Sequence, residues 1–394
     1  MKPPIKIELA RELAAEIAPA PIDVGLRSGV DALHPLYRTG IVTSFATWNV
    51  LDMWGHKEIK TAAIHSLQEY GESACASRYL GGLCSLHATC EARAARFLAA
   101  ESALLFATKN QAILTLITSL ATGGGVVIGP SMSALPLADA CALVDLEFVE
   151  CETIAEYQIA LERYQAAPRL IAVAESVSAT TGSKLDIPAW FTALAQYNAW
   201  AVLDESTAIV HSGLRGAGSA EVLPTAPLLL ARILGAATLT GGHLAALVCS
   251  HEVRELLLHR SRYLRVEPPP SAVEVASLSS ALDLAEVAIS QRDRLAARTR
   301  LVQLALREQG WQLVSSDDVP IAALWFDTYQ QARGIQDALL QRSIVVDAVP
   351  ARSIRRTGAV VRIVLSSGHS DLEVTRLLDS LLEIRKRMLG QQEG

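Results

Sequence analysis

The first chemistry that the sequence offers is a thiol beside an imidazole. Cys84 and His87 stand three residues apart, a spacing that places both side chains on one turn of a helix. A neighbouring imidazole can lower the pKa of a thiol, and the resulting thiolate attacks thioesters well. Cysteine is more often a small buried hydrophobic residue, and a histidine can simply begin a helix, so the pair has a structural interpretation beside the catalytic one.

Two further residues offer charge at the end or in the middle of an apolar run. Asp204 ends a run that is typical of a buried strand, and ligands of parallel sheets bind at the carboxyl ends of the strands. Arg362 lies between Val361 and Ile363, so it is expected on a strand rather than at a freely exposed position. A guanidinium held there can grip a carboxylate as a fork. Asp204 could equally be a solvated or helix-capping residue.

The elements that must position these residues follow from the hydrophobic pattern. Short apolar runs alternate with amphipathic patterns through the middle of the chain, which predicts a parallel sheet with helices on both faces. The predicted strands are Ala103–Ala107, Val126–Gly129, Leu146–Val149, Leu170–Ala174, Trp200–Asp204 and Leu244–Cys249. The predicted crossover helices are Asn110–Leu120, Ala134–Leu143, Ile154–Tyr164 and Ile187–Tyr197.

The pattern changes after the run of three prolines at Pro268–Pro270. One long helix is predicted from about Ala272 to Gln309, followed by a small α+β part. Its predicted elements are strands Ile321–Phe326, Ile344–Asp347 and Val360–Leu365 and helices Gln331–Gln341 and Asp371–Met388. We therefore divide the chain into an N-terminal helix and arm (1–42), a large α/β domain (43–270) and a small C-terminal α+β domain (271–394).

Composition excludes several classes of protein. The 394 residues include 35 basic and 41 acidic residues, so the net charge is −6, and the clustered positive charge of a general nucleic-acid binder is not expected. A hydrophobic fraction of 51% argues against disorder and for a large core. The six cysteines show neither CxxC pairs nor zinc-ligand spacing, so free thiols and no metal site are expected.

The N-terminus and the longest uncharged stretch indicate a cytoplasmic protein. Met1–Pro19 interleaves basic and acidic residues and predicts an amphipathic helix rather than a signal peptide. The stretch Gln111–Ala138 contains no charged residue, but glycines 123–125, Pro130 and Pro136 interrupt it. No transmembrane segment is therefore expected.

The order of short motifs along nearly the whole chain, about Thr43 to Leu389, resembles the α-oxoamine synthases. These are pyridoxal-phosphate enzymes that condense an acyl thioester with an amino acid and release carbon dioxide. The matching pieces are Asn49, the stretch Tyr70–Arg78, Leu86–His87, Ala103–Phe106, Leu203–Ser206, Gly241–Gly242, Pro268–Pro269, Val361–Ile363 and His369. The resemblance implies a fold type I transferase: an α/β large domain with a mostly parallel sheet and a smaller C-terminal α+β domain.

The sequence departs from the family pattern at the residue that binds the cofactor covalently. In that family a lysine six residues before the Gly-Gly doublet forms the imine with pyridoxal phosphate, which makes the α-carbon of the amino acid acidic. Gly235 stands at that position, and the surrounding stretch Ala231–Thr240 contains no lysine. Pyridoxal phosphate is therefore not expected as an internal imine, and no other cofactor or metal is implied.

Other cofactor contacts of that family are also replaced. The histidine that stacks on the pyridine ring becomes Met132, and the histidine of the Asp-Glu-Ala-His motif becomes Thr207. The hydroxyl that contacts the phenolic oxygen becomes Ala179, and the phosphate segment carries Glu267. A phosphate-binding glycine becomes Lys109. Lys109 could bind a phosphate or carboxylate of a substrate, or could fill the space and pair with Asp204; we favour the second.

Several residues that the family uses near its substrate are retained. By resemblance, Arg362 would bind the carboxylate of the amino acid, and Asn49 and Arg78 would lie near the substrate. Asp204 would occupy the position that pairs with the pyridine nitrogen. The candidate catalytic residues are accordingly His87, Cys84, Asp204 and Lys109, and the expected substrate-binding residues are Arg362, Asn49 and Arg78.

Two functions fit these observations. One is an acyltransferase without covalent pyridoxal phosphate, which uses an acyl thioester of coenzyme A or a carrier protein and a small amino compound. The other is a catalytically inactive subunit paired with an active homologue, as in heterodimeric serine palmitoyltransferase. A ligand sensor is a third, less favoured, reading. A homodimer is the default expectation, and a heterodimer is the alternative.

Overall fold

The computed structural model of the chain describes residues 26–27, 31–37, 40–72, 76–130, 136–222, 228–350 and 358–390. The helix predicted over Met1–Pro19 and the replacement at Met132 lie outside these ranges.

A seven-stranded sheet forms the centre of the described chain. Its strands run in the order β5-β11-β10-β9-β8-β6-β7, and the neighbours from β10 to β7 are parallel. Strand β11 runs antiparallel to both of its neighbours, β10 and β5. The bounds are β5 Ser102–Phe106, β6 Val126–Gly129, β7 Glu147–Glu150, β8 Leu170–Glu175, β9 Trp200–Asp204, β10 Leu229–Gly235 and β11 Ala245–Cys249.

Helices cover both faces of this sheet and continue into the C-terminal part. They are α1 Lys57–Tyr70, α2 Ser85–Phe97, α3 Lys109–Leu120, α4 Leu137–Ala142, α5 Ile154–Arg163, α6 Ile187–Gln196, α7 Ala237–Thr240, α8 His251–Arg260, α9 Arg262–Val266, α10 Ala272–Val287, α11 Ile289–Glu308, α12 Tyr329–Leu340 and α13 Asp371–Gly390. Short 3₁₀ helices occur at Arg78–Leu80 and Ser219–Val222.

Alternation along the strands divides the core into two layers. On β5, Leu104 and Phe106 join the apolar layer that contains α3, whereas Leu105 joins the opposite layer, which contains α2. Successive side chains of a strand point to opposite faces, so a fully buried strand must be apolar on both. This explains why the central strands appear in the sequence as continuous apolar runs.

The C-terminal part contains a three-stranded antiparallel sheet in the order β12-β15-β14. The strands are β12 Ile321–Phe326, β14 Asp347–Pro350 and β15 Ala359–Val364. The short strand β13 Ile344–Val345 pairs instead with β4 Thr43–Ser44. An N-terminal sheet of β1 Leu26–Arg27, β2 Leu36–Tyr37 and β3 Gly40–Ile41 completes the described strands. The architecture predicted from the sequence is confirmed, with a mostly parallel sheet and a smaller C-terminal sheet domain.

Two expectations about single elements are wrong. Strand β10, Leu229–Gly235, was absent from the predicted set because Arg232 interrupts its apolar run; this arginine is buried against Glu205 at 3.2 Å. The long helix predicted from Ala272 to Gln309 is two helices, α10 and α11, separated at Ala288, whose ψ of 44° departs from helical geometry.

The boundary between the large and small domains stays a prediction. Helix α10 begins just after Pro268–Pro270 and packs against α1 and α2, so the chain returns to the large sheet's helices before it enters α11. Helix α11 packs on β12 and α13.

Within the described ranges, no helix is long and apolar enough to cross a membrane. The same residues contain no cluster of three His, Cys, Asp or Glu side chains suited to a metal ion.

Candidate functional site

An ion pair between Lys109 and Asp204 lies at the carboxyl edge of the large sheet. Nζ of Lys109 is 2.9 Å from Oδ2 of Asp204. The side chain of Asp204 is only 3% exposed, and that of Lys109 is 23% exposed. The other oxygen, Oδ1, accepts the N–H of Ser206 at 2.9 Å. Both oxygens of the Asp204 carboxylate are therefore engaged by groups of the chain itself.

The position of Lys109 in its helix is unusual. Thr108 caps α3, because its hydroxyl accepts the N–H of Gln111 at 3.1 Å, and Lys109 is the first helical residue. The positive end of the helix dipole disfavours a cation there. Asp204, at the end of β9, compensates by placing a carboxylate against the ammonium group. A lysine directly before the predicted helix Asn110–Leu120 is the sequence signal for such a partner.

Asp204 keeps the Lys109 ammonium protonated. Burial lowers the pKa of Lys109, but the charge and hydrogen bond of Asp204 and the charge of Glu175 outweigh it, so the pKa is raised above its usual value. A protonated amine is not a nucleophile. Lys109 is therefore poised to hold negative charge rather than to attack a carbonyl carbon.

Gly235 is the last residue of β10 and lies against the side chain of Lys109. Its N–H donates to Oγ of Ser206 at 2.8 Å. A Cβ atom added to Gly235 would stand 2.9 Å from Cδ of Lys109 and 3.0 Å from Oγ of Ser206. The aliphatic stem of Lys109 thus fills the space into which a side chain at position 235 would begin to project.

These residues do not fit pyridoxal phosphate held as an imine at position 235. Gly235 supplies no amine, and the stem of Lys109 takes the space beside it. Asp204, the residue expected to pair with the pyridine nitrogen, is already paired with an ammonium group of the chain.

Arg362 is held by three contacts on strand β15. Nη2 lies 2.7 Å from Oδ2 of Asp347, and Nη1 donates to the carbonyl of Ala179 at 2.8 Å. The guanidinium carbon stands 4.8 Å from the centre of the Trp48 ring, a cation–π contact. Ala179 belongs to the loop after β8, and Ser176 of the same loop donates its N–H to the carbonyl of Asp204 at 3.0 Å. The loop after β8 therefore contacts both Arg362 and Asp204 at the carboxyl edge of the sheet.

Cys84 and His87 are in contact, as their spacing predicts. Nδ1 of His87 accepts the N–H of Cys84 at 3.2 Å and lies 3.2 Å from Sγ of Cys84. Nε2 is 2.9 Å from the carbonyl oxygen of Pro270, to which it donates. The tautomer is thereby assigned with its hydrogen on Nε2. His87 is buried, and its contacts join the start of α2 to the residues before α10.

The geometry gives Cys84 and His87 a definite structural role. Nδ1 accepts the N–H of Cys84, which the first turn of α2 leaves free, and it also lies within reach of the Cys84 thiol. Among the described residues, no hydrogen bond or ion pair joins Cys84 or His87 to Lys109 or Asp204. The structure thus brings the four candidate catalytic residues together as two separate pairs.

Asn49 and Arg78 are buried in internal contacts. Oδ1 of Asn49 accepts the N–H groups of Met53 and Trp54 at 2.7 and 3.1 Å. Arg78 forms an ion pair with Glu91, and both side chains are less than a tenth exposed. Each residue therefore has a structural role in this conformation, and a role in substrate binding stays a prediction.

The other replaced positions lie in different settings. Ala179 contributes its carbonyl to Arg362, and Thr207 contributes its carbonyl to His211 at 2.8 Å. Glu267 is exposed at the end of α9 and lines a small recess that Arg78 and Pro268–Pro270 also line. A carboxylate in that recess disfavours a phosphate dianion.

Sequence reasoning missed three residues that shape the site. Ser206 receives the N–H of Gly235, Asp347 pairs with Arg362, and Trp48 stacks on the guanidinium. Asp347 ends an apolar run just as Asp204 does, which is a usable signal. Its pairing with Arg362 depends on strand register, which a single sequence does not specify across a connecting loop.

Comparison with known proteins identifies relatives over most of the chain. Residues 41–381 match the family described as aminotransferase class I and II. The 8-amino-7-oxononanoate synthase of Geobacter sulfurreducens is 28% identical, over 86% of this chain and 88% of that protein. The corresponding enzyme of Nitrosococcus oceani is 29% identical, over 87% of this chain and 91% of that protein.

Solved structures confirm the type I transferase fold that the sequence predicts. A serine palmitoyltransferase from Sphingomonas wittichii superposes with a TM-score of 0.86 at 22% identity, covering 98% of this chain and 97% of that one. The 8-amino-7-oxononanoate synthase from Francisella tularensis gives a TM-score of 0.74 at 18% identity, covering 88% of this chain and 99% of that one.

Proposed function

The chain belongs to the aminotransferase class I and II family, and we propose that it is an α-oxoamine-synthase-like protein of the acyltransferase class that no longer uses pyridoxal phosphate covalently. Relatives named as 8-amino-7-oxononanoate synthase and serine palmitoyltransferase support the acyltransferase class. The proposed substrates are an acyl thioester, of coenzyme A or a carrier protein, and a small amine or amino acid.

One observation carries the loss of covalent cofactor chemistry. The stem of Lys109 lies across Gly235, and its ammonium group is paired with Asp204. Gly235 has no amine to form an imine. Lys109, which lies beside it, is kept protonated because the carboxylate of Asp204 raises its pKa, and a protonated amine does not condense with an aldehyde.

Acyl transfer from a thioester needs no carbanion and hence no imine. A neutral amine attacks the thioester carbonyl carbon, so that a C–N bond forms and the C–S bond breaks. The proton released by the amine ends on the departing sulfur. Such a reaction can be accelerated by positioning and by acid–base assistance. Lys109 and Asp204 are proposed to provide charge at the reacting groups, and Cys84 and His87 are the alternative pair for proton transfer or thiolate attack.

A second candidate function is a catalytically inactive subunit that pairs with an active homologue. A specific observation favours it: both ring nitrogens of His87 and both carboxylate oxygens of Asp204 are engaged by the chain's own groups. A side chain with every polar atom satisfied internally acts as structure unless substrate displaces a partner.

Thiol release from a panel of acyl-CoA thioesters separates these candidates. The purified protein is mixed with each thioester and with common amines and amino acids, with and without added pyridoxal phosphate. Release at the same rate in both arms supports the acyltransferase without covalent cofactor. Release only in the presence of pyridoxal phosphate contradicts it. No release in either arm also contradicts it and favours the inactive subunit, which should then co-purify with a lysine-bearing homologue from the source cell.

A further inference from the structure

By the resemblance to the α-oxoamine synthases, Arg362 would meet the carboxylate of an amino-acid substrate, and in this structure the guanidinium already has partners within the chain. It lies on β15, the middle strand of the C-terminal sheet, and its side chain is 15% exposed. One terminal nitrogen holds the Asp347 carboxylate, and the other donates to the carbonyl of Ala179. Nε is buried, and one face of the guanidinium lies against Trp48.

The contact between Arg362 and Asp347 is built into the sheet. The two residues are direct cross-strand partners in the antiparallel pair of β14 and β15, where opposite charges face each other at short range. The Nη2–Oδ2 distance of 2.7 Å is that of a charge-assisted hydrogen bond. Strand register therefore places the two charges opposite each other, and their ion pair balances the charge of Arg362.

A carboxylate on a substrate would face two costs at this place. It would have to displace the carboxylate of Asp347 from Nη2, and it would then lie beside the displaced negative charge. Asp347 is the more exposed member of the pair, at 33% against 15% for Arg362. The group that this pair presents to an incoming molecule is thus a carboxylate, which attracts an ammonium group and repels another carboxylate.

Resting on the proposed function, we infer that the acyl acceptor is an amine without a carboxylate, and that Asp347 is the residue that excludes amino acids. Asp347 is a specificity-determining residue in this inference, since it acts through Arg362 and through its own exposed charge. Removal of its charge would free Nη2 of Arg362 and admit a carboxylate at that nitrogen.

Equilibrium binding of a matched pair of ligands tests the inference separately from turnover. Ethanolamine and serine differ only by the carboxylate. Calorimetric titration of the full chain with each ligand should show that the unmodified protein binds ethanolamine at least about tenfold more tightly than serine. Asp347→Asn keeps the side chain's shape and removes its charge, so it should strengthen serine binding and weaken ethanolamine binding, each by about tenfold or more.

Asp337→Asn is the matched control. Asp337 forms an exposed ion pair with Arg333 within α12, at 3.0 Å, so its replacement should leave both affinities unchanged. The inference is overturned if the unmodified protein binds serine as tightly as ethanolamine, or binds neither, even if Asp347→Asn does not fold. Thiol release measured in parallel reports on the proposed function alone, because ligand preference in the titration does not depend on turnover.

Discussion

The side chain of Lys109 lies across Gly235, so close that a Cβ atom added to Gly235 would stand 2.9 Å from Cδ of Lys109. The two residues come from different elements, the start of α3 and the end of β10. Because the two residues are in contact, two departures from the family pattern belong together: the glycine at position 235 that replaces a lysine, and the lysine at position 109 that replaces a glycine. The ion pair with Asp204 fixes the lysine in that place.

The first prediction concerns restoring an imine. Gly235→Lys alone should bind pyridoxal phosphate weakly, because Lys109 occupies the space and the carboxylate of Asp204. The double variant Lys109→Ala with Gly235→Lys should bind it at least about tenfold more tightly. Absorbance titration measures the imine, and borohydride reduction followed by peptide mass analysis locates it.

A matched double variant controls for the loss of any lysine. Lys184 forms a surface ion pair with Asp318, so Lys184→Ala with Gly235→Lys should behave like Gly235→Lys alone. Equal cofactor affinity in all three variants would show that Lys109 does not obstruct position 235.

The second prediction concerns stability. Lys109→Met leaves the buried carboxylate of Asp204 without its cation and should lower the free energy of unfolding by about 2 kcal/mol. This lies below the range for fully buried pairs because Lys109 is 23% exposed. Lys184→Met, which breaks a surface pair, should cost less than about 1 kcal/mol. Urea unfolding compares the two, and equal losses would argue against a special role for the Lys109 contact.

The third prediction concerns pH and the contact between His34 and Glu373, whose Nε2 and Oε1 atoms are 2.6 Å apart. Burial lowers the pKa of His34, but its bonds to Asp31 and Glu373 outweigh this and raise the pKa above 6.5. Its stabilising contribution is therefore full below pH 6.5 and is lost as the pH rises through the raised value. Burial raises the pKa of Glu373, but bonds from Ser370 and His34 lower it to about 2.

The contribution of Glu373 is consequently present above its ordinary pKa of 4.5 and is lost as the pH falls toward 2. Urea unfolding of the unmodified protein and of His34→Gln should differ most between pH 4.5 and 6.5, by about 1 kcal/mol. The difference should shrink on either side of that window. A difference that grows above pH 7 would contradict the assignment.

The fourth prediction concerns the candidate catalytic residues. Under the proposed function, single alanine variants of Cys84, His87, Lys109 and Asp204 should identify the catalytic pair by a loss of about tenfold or more in thiol release. Because Lys109 and Asp204 contact each other, their effects should not add. Cys141→Ala serves as a control, since burial raises the pKa of that thiol to about 11. Unchanged rates in all four variants would remove the acid–base assignment.

The fold could be predicted from the sequence because buried parallel strands and amphipathic helices have distinct periods. The pattern does not predict strand β10, because Arg232 is a charged residue within it. Its burial depends on Glu205, a partner 27 positions away in the chain. The pattern does not predict the break between α10 and α11 either. Ala288 is a good helix former, so only packing distinguishes two helices from one.

The site was predictable where neighbours in sequence are neighbours in space. Cys84 and His87 meet because they are the N-cap and third residue of the capping box that begins α2. The pairing of Lys109 with Asp204 was one of two alternatives, and it needed the resemblance as well as the residue types. The contact between Arg362 and Asp347 depends on the register of two strands, and no local pattern specifies that register.

The most direct measurement of the central claim is the mass of the protein after incubation with pyridoxal phosphate and borohydride reduction, with thiol release assayed on the same sample before reduction. We expect no stoichiometric addition at Lys109 and a rate of thiol release that does not depend on the cofactor. One phosphopyridoxyl group per chain on Lys109, together with thiol release only when pyridoxal phosphate is present, would contradict the proposal and make Lys109 the anchor of the cofactor.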